Sequence, residues 1–337
     1  MISVEYHADL KEVQSDAALA ALLGEGVQSA PFDRLAWWQG LADHCGLDPL
    51  LAVARNGTGL AVLPLAQGKH SIDALANWYT FRFRPLITPG ADGTRLLHAL
   101  ASDLAGRGRR ISLAGVPGED GSRAMLESAF GQAGWWVFST VCDANHTLQV
   151  NGRCFTDYLA GRPGQLQATL RRKAGKLETT VLTRIDAEAW AEYEAIYAES
   201  WKPHEGSPLF LHRFAAQEGE AGRLRLGIAR ADGRAVAMQL WTVEGGTAFI
   251  HKLAHREQAR ALSPGTVLSA ALFEHIIDRD GVETVDFGTG DDPFKRDWME
   301  QVRPRYRLDM YRPESPANWL AMARASVTRL ARRGNHG

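Results

Sequence analysis

The chain repeats itself, and that repetition restricts its fold more than any other property of the sequence. Residues 49–67 (PLLAVARNGTGLAVLPLAQ) read as two strands joined at Asn56-Gly57, and residues 225–243 (RLGIARADGRAVAMQLWTV) read as two strands joined at Asp232-Gly233. Asn-Gly and Asp-Gly are the strongest short hairpin signals, because both tolerate the positive φ that a tight reversal needs. The turn glycines Gly57 and Gly233 stand 176 residues apart. The next matching elements keep nearly that spacing: Gly93-Thr94 opens a helical pattern (Leu96, Leu97, Leu100, Leu104), and 172 residues later Gly265-Thr266 opens another (Val267, Leu268, Ala271, Leu272, Ile276). A short strand ending in glycine follows each, ISLAG at 111–115 and VDFG at 285–288. Agreement across three successive elements predicts two copies of a hairpin-helix-strand unit, hence an α/β fold of two lobes, each a mixed twisted sheet flanked by helices.

At 337 residues the chain exceeds what one core usually serves, which agrees with two lobes. The expected boundary lies near residues 151–153, giving a first lobe over 1–150, a second over 151–312 and a tail over 313–337. After the boundary, Leu166, Leu170 and Leu177 form a helical stripe, and Trp190, Tyr193, Ile196 and Tyr197 share one face of a helix expected over 187–201. The segment 202–208, with Pro203, Gly206 and Pro208, is irregular. Lys+Arg (38) and Asp+Glu (39) nearly cancel, so no global field favours nucleic acid. Cys45, Cys142 and Cys154 form neither a zinc pattern nor a disulfide framework, which suits a reducing cytoplasm. Acidic residues (Glu5, Asp9, Glu12) stand where a secretory signal would be basic, and no apolar run reaches the roughly 18 residues of a membrane span.

The second half carries a series of motifs in a fixed order. These are LRRKAGKL at 170–177, ESWK at 199–202, IHKLA at 250–254, LSPGT at 262–266 and VDFGTGDDPFKRDW at 285–298. The series resembles the GNAT acyltransferase superfamily, in its BcsL/CelD-like branch of FemAB-type tandem GNAT proteins, over roughly residues 150–310; the first lobe resembles it only through the repeat. The resemblance implies two tandem GNAT-like lobes with the chemistry in the second, no permanently bound cofactor, acyl-CoA as donor substrate and an amine as acceptor. The sequence departs from the pattern at one place. The Gln/Arg-x-x-Gly-x-Gly pyrophosphate loop of simple GNAT enzymes is replaced by Arg260-Ala261-Leu262-Ser263-Pro264-Gly265.

Acylating an amine requires a bound donor phosphate, a deprotonated amine, a place for the developing oxyanion and an acid for the leaving thiolate. Leu262, Ser263, Gly265 and Thr266 open a helix whose free N–H groups favour an anion, with Pro264 suited to the first turn; an ordinary Ser-capped helix start reads equally well. Arg172, within the run Arg171, Arg172, Lys173 and Lys176, is the candidate grip on donor phosphates, against the plainer reading of a solvated face. His251 lies on a strand over 247–254, where a histidine is either a base for an ammonium or a satisfied core side chain; Lys252, on the other face, reads as an ion-pair partner. Asp286 sits in an apolar strand and needs a partner: His251, giving a catalytic dyad, or Lys295 or Arg296, or the glycine loop that it ties down. Lys295 is the third candidate for the chemistry, and Asp291, Lys295 and Trp298 form a polar and aromatic loop at the end of that strand, with Lys295 and Trp298 as expected site walls and Asp291 and Trp298 as expected substrate contacts. Trp201, the remaining substrate-binding candidate, reads as a lid over the acceptor or as the end of a core stripe.

The tail hints at the acceptor. Trp319, Leu320, Ala323, Val327 and Leu330 cluster on one helical face with Arg329 and Arg332 opposite, a basic amphipathic pattern compatible with an anionic inner-membrane surface or with docking on its own domain. Trp37-Trp38 and the cluster 78–83 add apolar surface that reads as a lipid groove or as core. The leading expectation is an N-acyltransferase moving an acyl group from acyl-CoA to a lipid-linked or long-chain amine, such as a sphingoid base, as in a bacterial ceramide synthase. The alternatives are an N-acetyltransferase for amino sugars of an exopolysaccharide or its lipid-linked precursor, an aminoacyl-tRNA-dependent enzyme, and a non-catalytic tandem-GNAT binding scaffold.

Overall fold

The computed structural model describes residues 1–320, 322 and 323, so the tail residues from Arg324 onward, on which most of the basic amphipathic pattern falls, lie outside the described residues. The chain divides into two compact units, Met1–Ala144 with the segment from Arg303 onward, and Asn145–Val302. The first unit is therefore discontinuous in sequence. Strand Gln301–Tyr311 pairs antiparallel with Arg110–Pro117, placing residues 303–311 in the first unit rather than in the second, where the sequence reading put them.

The first unit's sheet runs Ser3–His7, Pro49–Asn56, Gly59–Gln67, Ile72–Ala74, Arg110–Pro117, Gln301–Tyr311. Its hairpin turns one residue later than the sequence suggests: Asn56 faces Gly59, and Gly57 supplies the positive φ of 59°. Ala52, Val53, Ala54, Ala61, Val62 and Leu63 are wholly buried, so both faces of these strands are covered and the apolar run is continuous rather than alternating. Helix Gly93–Leu104 turns Leu96, Leu97, Leu100 and Leu104 into this core and is N-capped by Asp92, whose carboxylate accepts from the Arg95 N–H at 3.1 Å. Trp37, Trp38, Tyr79, Phe81 and Phe83 are buried, with Phe32 edge-on to Trp37 at 4.9 Å, so these aromatics pack a core; of the sequence cluster only Trp78 is largely exposed.

The second unit's sheet runs from the C-terminal part of Trp136–Gln149 through Thr284–Thr289, Thr247–His255, Arg234–Glu244 and Leu224–Ala231 to Glu178–Leu182. Ala231 faces Arg234, leaving a two-residue loop of Asp232 and Gly233 with φ of 49° and 77°, the conformation that the Asp-Gly pair predicts. Helix Pro264–Glu274 buries Val267, Leu268 and Leu272 against the sheet. It approaches closely because Gly227 lies beneath it, where an added Cβ would come within 2.7 Å of the Leu272 side chain. The helix predicted over 187–201 ends at Ala198, with Trp190 stacked on Tyr193 at 4.4 Å. Trp298 is completely buried and stacks on Phe273 at 4.8 Å, while Tyr158 donates to its carbonyl at 2.6 Å. That corrects its reading as a site wall: the indole is core, because helix Pro293–Trp298 turns it inward among Trp241, Phe273 and Phe287.

The repeat also identifies an element that the sequence did not pair. Ile72–Ala74 lies antiparallel to the second hairpin strand and parallel to Arg110–Pro117. Thr247–His255 stands in the same relation to Arg234–Glu244 and to Thr284–Thr289. This strand has 3 residues in the first unit and 9 in the second.

Candidate functional site

The long strand of the second unit does not stay paired. Thr247–His255 runs parallel to Thr284–Thr289 through Thr247–Thr284, Ala248–Val285 and Phe249–Asp286, and there, among the described residues, the ladder between them stops. On its other edge the same strand continues in register with Arg234–Glu244 as far as His255. Beyond Phe249 its backbone N–H and C=O groups on one edge therefore face a gap, and polar backbone groups need partners.

Two irregularities open the gap. Leu240 faces Lys252 and Trp241 faces Ile250, so His251 is the extra residue of a β-bulge, which bends its strand. Across the gap, Thr284–Thr289 shifts register between Asp286 and Thr289, and Gly288 and Gly290 take φ of 67° and 95°. Asp286 fixes this kink. Its Oδ1 accepts from Asn145 Nδ2 at 2.7 Å and from the Gly288 N–H at 2.8 Å. The buried carboxylate thus has the structural partners that the sequence left as one option, and the expected dyad is not what the bonds describe. His251 Nε2 lies 2.8 Å from Thr242 Oγ1, and its ring meets Phe214 edge-on at 4.9 Å.

At one end of the gap, helix Pro264–Glu274 begins without a side-chain cap. Ser263 adopts the left-handed conformation (φ 51°, ψ 49°), and its side chain makes no cap hydrogen bond, unlike the role the sequence offered it. Pro264 has no N–H, and the first-turn N–H groups are left for an external anion or water. Lys173, at the end of helix Gly164–Lys173, donates to Ser263 Oγ at 2.8 Å and brings an ammonium to this helix start. Of the basic run, then, Lys173 reaches the loop, whereas Arg172 is exposed and donates to Ala168 of its own helix at 3.2 Å. Leu262 and Thr266 are half-buried, and the Gly265 carbonyl accepts from Gln239 at 3.0 Å. A Cβ at Gly265 would meet only His255, at 3.6 Å, so packing does not demand glycine and the space beside it is open. Trp201 is exposed and covers the His255 ring at 4.4 Å, close to the same helix start.

At the other end stands a group of charges that the sequence did not assemble. Lys252 pairs with Glu205 at 2.7 Å, as its ion-pair reading anticipated. Glu205 also bonds the Tyr197 hydroxyl, and burial together with that carboxylate pushes the hydroxyl up to about 12. Half-buried Lys202 sits nearby; burial first, and then the Lys252 charge, hold its ammonium below the ordinary lysine value, while Asp292 and Glu205 oppose the shift. The signal for this group was the irregular stretch 202–206, which carries two charged side chains between helices and was read only as a loop. Two other candidates serve local structure. Lys295 Nζ donates to the Thr289 carbonyl and braces the glycine turn. Asp291 is bound bidentately by Arg296 and lies 3.2 Å from His146 Nε2, and the Arg296 contact holds its carboxyl below the usual range.

Residues 165–296, all within the second unit, match the family described as acetyltransferase (GNAT) domain. No curated protein matches the chain. Solved structures resemble it over nearly its whole length. The C-terminal domain of a proposed lysylphosphatidylglycerol synthetase from Agrobacterium fabrum is 15% identical with a TM-score of 0.59, covering 95% of this chain and 97% of that one. A tandem GNAT protein from the clavulanic acid biosynthesis pathway is 14% identical with a TM-score of 0.55, covering 94% and 100%. FemX is 12% identical with a TM-score of 0.58, covering 90% and 96%. At such identities the likeness is one of fold, and the fold is the mixed α/β arrangement of tandem GNAT proteins.

Proposed function

We propose that the second unit transfers an acyl group from acyl-CoA to an amine, with the thioester lying in the gap between the strands Thr247–His255 and Thr284–Thr289. The observation that carries this reading is the parting of those strands after Phe249 and Asp286, beside an uncapped helix start that holds the Lys173 ammonium. The helix start and Lys173 suit the donor's pyrophosphate. The open strand edge beyond Phe249 offers backbone N–H groups to the thioester oxygen, where charge develops as the amine attacks. The amine nitrogen bonds to the carbonyl carbon, the C–S bond breaks, and the thiolate leaves as a thiol after taking a proton. His251, at the bulge, shapes the wall of the gap together with Phe214 and Phe249. Trp201, over His255, covers its donor end.

For the acceptor, the reading is a long-chain or lipid-linked amine such as a sphingoid base. Its support is the exposure of Trp319 and Leu320 at the start of the C-terminal amphipathic pattern, which suits contact with an anionic membrane surface, on the BcsL/CelD-like or ceramide-synthase-like model. Among the described residues no helix is long and apolar enough to cross a membrane. The test is purified protein with acyl-CoA of several chain lengths and sphinganine, an amino sugar or an aminoacyl-tRNA-dependent reaction in parallel. N-acyl sphinganine supports the lipid acceptor. Product on the amino sugar alone moves the enzyme to polysaccharide precursors, and no thiol release with any amine leaves a binding scaffold.

A further inference from the structure

Lys202 lies between helix Ala187–Ala198 and helix Pro208–Glu220, in the irregular segment that flanks the gap. Its ammonium is half-buried, 5.5 Å from the centre of the Trp201 ring, and among the described residues it enters no ion pair and no side-chain hydrogen bond. The neighbouring charges are already engaged. Glu205 bridges Lys252 at 2.7 Å and the Tyr197 hydroxyl, and Asp292 Oδ1 accepts from the Phe294 N–H at 2.7 Å to cap helix Pro293–Trp298. Lys252 belongs to the strand on one side of the gap, beyond its last ladder residue Phe249, and Asp292 follows the strand on the other side. The segment that carries Lys202 lies along the unpaired part of the first of these strands, because Trp201 covers His255 at 4.4 Å and Glu205 pairs with Lys252 at 2.7 Å.

Resting on the acyl-transfer reading above, we propose that Lys202 is the general base that takes the proton from the acceptor's ammonium before attack. The neutral Lys202 amine accepts one proton from R–NH3+, giving R–NH2 and a Lys202 ammonium. The freed nitrogen attacks the thioester carbon and the C–S bond breaks. The second nitrogen proton goes to the departing thiolate, and Lys202 returns its own proton to solvent. Burial and Lys252 both favour the neutral amine that this step requires. The two alternative bases are less suited. Tyr197 holds its proton up to about 12, and His251 Nε2 shares a hydrogen bond with Thr242.

The experiment pairs two variants with one measurement on the wild type. Lys202→Arg keeps a cation but cannot act as a base near neutral pH, and Lys202→Ala leaves room for a small amine. Both are expected to lose on the order of 10²- to 10⁴-fold in kcat with unchanged melting temperature, the usual contribution of a positioned base. Added ethylamine restores turnover to Lys202→Ala and not to Lys202→Arg. Separately, competitive acetic anhydride labelling of the wild type across pH, read by peptide mass spectrometry, is expected to show Lys202 gaining reactivity at lower pH than the remaining lysines. A Lys202→Arg enzyme within about threefold of wild type overturns the base. So does a Lys202 that labels in step with the surface lysines. A wild type that releases no thiol with any amine removes the acyl-transfer reading itself, and with it the base.

Discussion

The two units carry the same hairpin, helix and strand, yet they treat the start of that helix in opposite ways. In the first unit the N–H groups of Gly93–Leu104 receive a carboxylate from the chain itself, Asp92, and the 290 Å³ surface pocket beside it is lined by Asn56, Thr88, Asp92 and Arg95. In the second unit the start of Pro264–Glu274 receives no side-chain cap, and Lys173 stands at its Ser263. A built-in anion stabilises the helix and leaves little for a phosphate; an empty start with an ammonium does the reverse. The strand beside each helix follows the same division. Its 3 residues in the first unit stay close to the neighbouring strand, whereas its 9 residues in the second bend at a bulge and part from theirs. On the acyl-transfer reading proposed above, the second unit's site draws on a helix start left without a side-chain cap, and the first unit supplies that cap with Asp92.

Substitutions can break or sharpen this contrast. The largest effect is expected where the two units are alike, in their cores. Trp298→Ala removes a buried indole stacked on Phe273 and should destabilise the second unit by roughly 3–5 kcal/mol in denaturant unfolding, whereas Trp298→Phe should leave donor affinity unchanged if the residue is core and not site. Asp286→Ala strips the buried Asn145 amide and the Gly288 N–H of their acceptor and should cost about 1–3 kcal/mol, with turnover falling further than stability because loss of the kink narrows the gap. Ser263→Asp places a carboxylate at the second helix start, as the first unit has at its own. Equilibrium binding of the donor should weaken roughly tenfold, about 1.4 kcal/mol, and unaltered binding would show that the phosphate lies elsewhere. The mirror substitution, Asp92→Ala, should cost about 1 kcal/mol of stability and nothing in donor binding. The smallest effect is the pH dependence of Lys202. Its proton affinity is lower in the folded chain than the ordinary 10.5, so the unfolded chain binds more protons between the two values and stability should rise with pH across that window. Thermal melts of wild type and Lys202→Met compared over that range should differ in slope, with the variant flatter.

The sequence carried the fold through the repeat, because turn chemistry and helical periodicity are local. Asp232-Gly233 specifies its own reversal, and Leu96, Leu97, Leu100 and Leu104 specify their own face. It singled out the strands around His251 and Asp286 but neither their parting nor the partners of those side chains, since which groups meet across strands depends on register. The bulge at His251 and the bond from Asn145, 141 residues away, leave no local trace. Trp298 was misread because a short helix after an aspartate-rich turn looks exposed until its inward face is known. The charges at 197–205 were missed for a similar reason. An irregular loop has no period, so nothing in it announces that Lys202 and Glu205 turn towards Lys252.

The final strand of the first unit, Gln301–Tyr311, has a consequence for synthesis on the ribosome. Everything the second unit needs has emerged before the strand that completes the first, so the catalytic candidate can fold while its companion waits. During that interval Arg110–Pro117 offers a bare sheet edge to any other extended chain, the usual route to mispairing. A chain that ended at residue 302 would therefore hold every strand of the second unit and lack the strand that covers Arg110–Pro117. The order of the strands along the chain thus leaves the first unit, and not the second, waiting for its last partner.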